Sequence, residues 1–477
     1  MNIPFRHILL ASMISSVMVA SAITPEEVTK AVNLAREAPK NKVLNRKAGE
    51  ALQEAGRYKE AVSFYLKGDN AANLGAAECY FYLYDFDKAE EHLDKYLAKR
   101  TKAEEAKDQN FSYGDGSEMI DWTENLSNRI ELGRSMLDRV EQIEIVDSIN
   151  VPAEQFFKFV KLAKSAGALA DDSALDKAVN ATAMEQLGVN GLCSPVYVSE
   201  SGDDIVWYGS TGTGNSKVFE SIRLADGSWD NPTELFDYAS IFGDSNGSWV
   251  SYPFLMSDGI TLYFAADGEN SLGELDIFIS RRESDGFLQP SNIGMPYNSP
   301  YNDYLYAIDE ENGIGWWVSD RNQLQDSVTI YTFLPKDLRV NYPVETPDLA
   351  DYARVSSIAM TQKGETDYAQ IRKQIAAISS NPGKKNEDEI RFALPEGRII
   401  TSTSQLRSPR AATALREYFA AEAKVEKMRQ DLAAMRTTYA KRDKSIGPRI
   451  LAAEKELEQK EAQLKQLKNR VISLEKN

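Results

Sequence analysis

The feature that most constrains this chain is a hairpin unit that occurs three times at a nearly constant interval. The middle copy runs Ser257-Asp258-Gly259-Ile260-Thr261-Leu262-Tyr263-Phe264-Ala265 and closes with Asp276-Ile277-Phe278. An earlier copy, Ser201-Gly202-Asp203-Asp204-Ile205-Val206-Trp207-Tyr208-Gly209, closes with Lys217-Val218-Phe219, and a later one, Glu311-Asn312-Gly313-Ile314-Gly315-Trp316-Trp317-Val318-Ser319, closes with Thr329-Ile330-Tyr331. The turn glycines Gly202, Gly259 and Gly313 lie 57 and 54 residues apart, an interval that suits one four-stranded sheet with its loops. Glycine there supplies positive φ between two strands, and the aromatic strand that follows buries one face against the next unit. A second shared element follows the first two copies: Gly227-Ser228-Trp229-Asp230-Asn231-Pro232 and Gly286-Phe287-Leu288-Gln289-Pro290. It puts a proline at a sheet edge, where a missing amide hydrogen costs nothing.

These residues resemble the TolB-type, WD-like propeller repeat, with its S-D-G-x-x-[IL]-[YW]-[FY] hairpin and D-I-[FY] closing strand. The resemblance implies an all-β, propeller-like domain over residues 191–345. Propellers carry about four to eight blades and three copies are visible, so the flanks at 141–190 and 346–408 are expected to lend closing strands. The strand-like stretches Ile143–Val146 and Ile390–Thr403 are the candidates, and Glu154–Ala170 carries helical spacing within the first connector.

Residues 23–140 read as helix pairs. Gly49, Gly56, Tyr58, Ala61 and Tyr65, then Ala77, Tyr84, Phe86, Ala89 and Leu93, hold the offsets of a tetratricopeptide repeat at an interval of 28 residues. In that pattern small residues let two helices approach and aromatics fill the groove between them. The resemblance implies an α-solenoid with a concave protein-binding face. Residues 409–477 are helical again. Val425, Met428, Leu432, Met435 and Tyr439 alternate by three and four, and Ile450, Leu457, Leu464 and Val471 keep sevens. Ser445-Ile446-Gly447-Pro448 interrupts them, giving either a helical hairpin or a bent coiled coil that makes a homo-oligomer. The fold class expected is therefore multidomain α + β: solenoid, propeller-like sheets, C-terminal coiled-coil helices.

Residues 1–22 have the form of a signal peptide: the cation Arg6, an apolar run from Ile8 to Val19, and Ala20-Ser21-Ala22 as a cleavage pattern. Export is expected, with no transmembrane segment after cleavage. Losing Arg6 shifts the net charge from −17 to −18. Such an acidic field repels nucleic acid and anionic lipid and favours solubility or basic partners. Cys79 and Cys193 fall in different domains, as buried free thiols or as a pair.

Catalysis finds little support. His7 leaves with the signal peptide and His92 is the other histidine; no G-x-S-x-G elbow accompanies it. The stretch Gly209-Ser210-Thr211-Gly212-Thr213-Gly214 lacks the lysine of a phosphate loop, and the cysteines and histidine give no zinc spacing. No cofactor is expected. Calcium has a weak case through Asp267, Glu269, Asn270 and Asp276, which read more readily as solvated polar loop residues. Trp249, Trp316 and Trp317 are the candidate ligand-facing aromatics; neighbours on a strand face opposite ways, so one of the adjacent pair is expected to be exposed.

The order of signal peptide, tetratricopeptide-like helices and TolB-type repeats resembles Gram-negative envelope proteins, including those associated with type IX secretion. A coiled coil stands where that group often has a peptidoglycan-binding domain. The resemblance implies a non-enzymatic scaffold in the periplasm or at the outer membrane, binding envelope proteins through its helical ends. A glycan- or peptide-binding propeller is the alternative.

Overall fold

The computed structural model describes residues 23–476 apart from 111–120, 176–177, 212–214, 237–248, 379–391, 395–398, 401–404 and 441–443 and the single residues 225, 269, 285, 337 and 365. The leader expected over residues 1–22, and Glu269 of the calcium set, lie outside the described residues.

Helices α1 (Pro25–Glu37), α2 (Lys42–Glu54), α3 (Tyr58–Tyr65), α4 (Ala71–Tyr82), α5 (Phe86–Leu97), α6 (Lys102–Asp108) and α7 (Trp122–Leu137) open the chain. Their starts follow from capping. Thr24 and Thr101 form capping boxes with Glu27 and Glu104, while Asn41, Asp85 and Asp121 accept first-turn amides, satisfying donors the helices leave orphaned. Glycines set the spacing. A Cβ on Gly49 or Gly75 would sit 2.6 or 2.4 Å from the Tyr65 ring, so the absent side chains let that ring lie between α2 and α4. At the equivalent positions 28 residues on, Tyr84 holds φ +62° where Gly56 holds +70°. Phe86 in turn meets Gly133 of α7, whose Cβ would stand 2.4 Å from the ring.

Three antiparallel sheets follow. Sheet one contains β2 (Ala168–Ala170), β3 (Gly191–Val198), β4 (Asp204–Ser210), β5 (Ser216–Ile222) and β6 (Thr233–Glu234), hydrogen-bonded in that order. Sheet two is built from β7 (Val250–Leu255), β8 (Thr261–Ala266), β9 (Asp276–Glu283) and β10 (Gly286–Phe287), with β11 (Ser291–Asn292) also on β9. Sheet three places β1 (Ile145–Pro152) beside β14 (Ser327–Phe333), then β13 (Ile314–Ser319) and β12 (Asp303–Asp309). The three turn glycines have φ of +72°, +67° and +64°, the hairpin geometry that a side chain would strain.

The sheets stack face to face. Val206, Tyr208 and Val218 of sheet one share a cluster with Phe254, Leu262, Phe264 and Phe278 of sheet two. Ile277 of sheet two, with Tyr263 and Ile279, meets Ile308, Trp317, Tyr331 and Phe333 of sheet three. Helical pieces cover the two end faces. Leu175, Val179 and Ala183, from a 3-10 turn (Asp172–Leu175), the link after it and α8 (Ala181–Leu187), lie on Trp207 and Phe219. Phe156, Phe157 and Ile371, from a 3-10 turn (Ala153–Phe159) and α10 (Tyr368–Ala377), join Trp316, Val318 and Ile330. The short α9 (Leu349–Ala353) precedes α10. Because every sheet is covered on both sides, β7 and β13 are buried at all six positions.

The two candidate flanks behave differently. The stretch 141–190 is part of the sheet body: β1 pairs antiparallel with β14 and β2 extends sheet one. Strand β1 takes the edge that β10 takes in sheet two, the element missing after the third sequence copy. The second candidate flank stays away from the central sheets. There β15 (Phe392–Ala393) pairs with β16 (Ile399–Ile400), and both pack on the C-terminal helices.

Helices α11 (Pro409–Ala440) and α12 (Gly447–Lys476) run antiparallel, as the ion pairs Arg470–Glu417, Arg429–Glu461 and Arg436–Glu454 require. Leu415 and Val471 form a core with Phe392, Leu394 and Ile400. None of the described helices is long and apolar enough to cross a membrane.

Candidate functional site

The densest polar structure lies where the loops of sheets two and three meet the N-terminal helices. Asp276, at the start of β9, accepts the Leu272 and Gly273 amides at 2.8 and 3.0 Å and the Asn292 side-chain amide at 2.6 Å. Asn298 imitates a strand residue: its Oδ1 accepts from the Ile277 amide at 2.7 Å while its Nδ2 donates to the Ile277 carbonyl at 2.8 Å. Asn302 accepts from the Leu275 amide at 3.1 Å and donates to Asp320 at 3.1 Å. These side chains do the work of backbone partners, so irregular loops can be buried without orphaned groups.

Arg321 closes the network. Its guanidinium donates to the Pro296 and Tyr297 carbonyls at 2.8 and 2.6 Å, to Ser319 Oγ at 3.0 Å and to Asp303 at 2.9 Å. The Asp303 carboxylate also accepts from the Ser299 amide and hydroxyl. Both partners of the ion pair are buried, at 3 % and 0 % side-chain exposure, and the guanidinium lies over the rings of Trp317 and Tyr331. Burial pushes the Asp303 carboxyl upward and Arg321 opposes it. Asp267, in the β8–β9 loop, is pushed up to about 7 by burial, against the Trp249 amide it accepts from.

The helices seat on this network. Leu272 and Met295, from the sheet loops, are fully buried in one cluster with Phe81, Tyr84, Phe86, Leu126 and Ile130. The Tyr84 phenol feels both Arg321 and Asp303. The helical layer and the sheets therefore share a core.

The aromatics fall elsewhere than expected. Trp316 and Trp317 are both buried, at 3 % and 0 %: they do face opposite sides of β13, but each side is covered. Trp317 stacks on Tyr331 with ring centres 4.1 Å apart, as Trp207 does on Phe219 at 4.6 Å. Trp249 is half-buried at the start of β7. Instead one tyrosine from each sheet, Tyr208, Tyr252 and Tyr304, meets around Phe156, with ring centres 5.4 to 6.1 Å apart. Tyr252 holds φ +53° there. Tyr208 lies within the first repeat copy, whereas no repeat position marked Tyr252 or Tyr304; the sequence signal for these two is that each sits on a strand that faces the neighbouring sheet.

The described members of the calcium set form no cage. Asp276 spends its oxygens on N–H donors, which a cation would have to displace, and among the described residues no group of three or more such ligands forms. Cys79 is buried and Cys193 half-buried, both as free thiols; burial pushes the latter up to about 11. His92 sits on α5, stacked on Tyr80 and bonded through Nδ1 to Asn73 at 3.0 Å. The chain thus has N-terminal helices, central antiparallel sheets and C-terminal helices. Comparison with family models, curated proteins and solved structures finds no match.

Proposed function

We propose that this chain is an exported, non-enzymatic scaffold of the cell envelope, holding partner proteins through its two helical regions around a propeller-like sheet body. Assembly or secretion at the outer membrane is the process in which such a scaffold would serve. One observation carries the reading: the N-terminal helices share a buried cluster with Leu272 and Met295 of the sheet loops, so they form a rigidly mounted surface. The solenoid-like pairing of α2 with α3 and of α4 with α5 supports a protein-binding face. The test is in-cell crosslinking followed by pull-down through the full chain. Envelope proteins crosslinked to residues 24–140 or 410–477 are the expected result; capture of no envelope protein would sink the proposal. A glycan- or peptide-binding role for the half-buried Trp249 is the second reading, and a ligand-induced rise in melting temperature with quenched tryptophan fluorescence would favour it.

A further inference from the structure

The net charge of this chain is unevenly distributed. Residues 191–345 contain 24 Asp and Glu against 7 Lys and Arg, whereas residues 409–477 contain 16 Lys and Arg against 10 Asp and Glu. The acidic segment forms most of the three sheets, all but β1 and β2, and the basic segment forms the α11–α12 hairpin.

The two meet through charge. Arg429 of α11 donates to Glu200, in the β3–β4 turn of sheet one, at 3.2 Å, while holding Glu461 of α12 at 2.8 Å. Eleven residues earlier, a rise of about 16 Å along the helix, the Tyr418 phenol is pushed up by burial, then by Glu422 and by Glu311. Glu311 belongs to the β12–β13 turn of sheet three. Helix α11 therefore touches the turn of sheet one through Arg429, and its Tyr418 lies within electrostatic range of the turn of sheet three. Among the described residues the hydrophobic cluster of the hairpin, built on Leu415, Val471, Phe392 and Ile400, includes no residue of the three sheets.

We infer that the C-terminal hairpin is a charge-held strap over the turn end of the sheets, and that it occupies the place a cationic helix of a partner protein would take. A unit with its own core can leave without unfolding either side. Exposed ion pairs are weak and salt-screened, which makes the seat exchangeable. An incoming partner is selected by charge, because the acidic body attracts cations at long range and repels acidic proteins. The inference deepens the scaffold reading and rests on it for the partner only.

The experiment uses the full chain and hydrogen exchange at residues 199–204 and 309–313. Arg429→Glu should raise exchange there by about 2- to 5-fold, and the charge swap Glu200→Arg with Arg429→Glu should restore protection. A labelled peptide of residues 409–440, the probe for a cationic helix, should bind the Arg429→Glu chain more tightly than the wild type, and less tightly in 0.5 M salt. Unchanged exchange in Arg429→Glu, a swap that fails to restore it, or salt-independent peptide binding would each overturn the strap. A strap that passes, alongside crosslinking that captures no envelope protein, would leave the strap standing and remove the scaffold reading.

Discussion

The two helical regions are attached to the same sheet body by opposite means. The N-terminal helices interlock with it: Met295 and Leu272 enter their core, and the buried Asp303–Arg321 pair lies within reach of Tyr84. The C-terminal hairpin has its own core and touches the body through Arg429 and Glu200, both partly exposed. A shared apolar core cannot be separated without exposing it to water, at about 25 cal/mol per Å²; an exposed ion pair exchanges readily with water and salt. One attachment makes a rigid surface and the other a releasable one.

The sharpest way to break this contrast is Arg321→Ala. It strands the Asp303 carboxylate and leaves the Pro296 and Tyr297 carbonyls without their donor, so a loss of about 3–5 kcal/mol is expected in chemical denaturation. The N-terminal helices should loosen together with sheet three. A loss below about 1 kcal/mol would show the junction to be as soft as the strap.

Acidity probes the same junction. Asp267 is pushed up to about 7 by burial and faces Trp249, Arg129 and Glu274. Its folded state keeps a proton that the unfolded chain releases near pH 4. Stability tied to this group is thus complete below about pH 4 and is lost as pH rises through 7. Asp267→Asn keeps the acceptor for the Trp249 amide and removes the titration, so the variant should lose roughly 2 kcal/mol less than the wild type between pH 5 and 7.5. Thermal melting across that range gives the answer.

Gly75→Ala tests the helical layer alone. The added Cβ would meet Tyr65 at 2.4 Å, and Gly49 closes the other side of that ring. Overpacking of about 1–3 kcal/mol outweighs the gain of about 1 kcal/mol in helix propensity, so a net loss is expected in thermal unfolding. The smallest effect belongs to the strap. Glu200→Gln should change global stability by under about 1 kcal/mol while abolishing the salt dependence of exchange in the β3–β4 turn.

Local chemistry determined what the chain could announce by itself. Glycines at 202, 259 and 313 require hairpin turns because positive φ strains any side chain; Gly49 and Tyr65 fit because a helix pair needs a small residue opposite a large one; Ser445 to Pro448 stops a helix because proline lacks the donor. These are interactions within one turn or between adjacent elements of the chain, so the pattern records them. Tertiary structure alone decided the rest. The residues of β1 do not reveal that the strand will pair with β14, nearly the length of the sheet body away. The alternation at Trp316 and Trp317 correctly gave opposite faces, but whether a face meets water depends on what stacks against it, and here sheet two covers one and the 3-10 turn with α10 the other. Asp303 and Arg321, or Glu200 and Arg429, look like ordinary surface charges until the fold brings them together. Their burial then separates them: the first pair is enclosed and costly to break, the second is wet and easily exchanged.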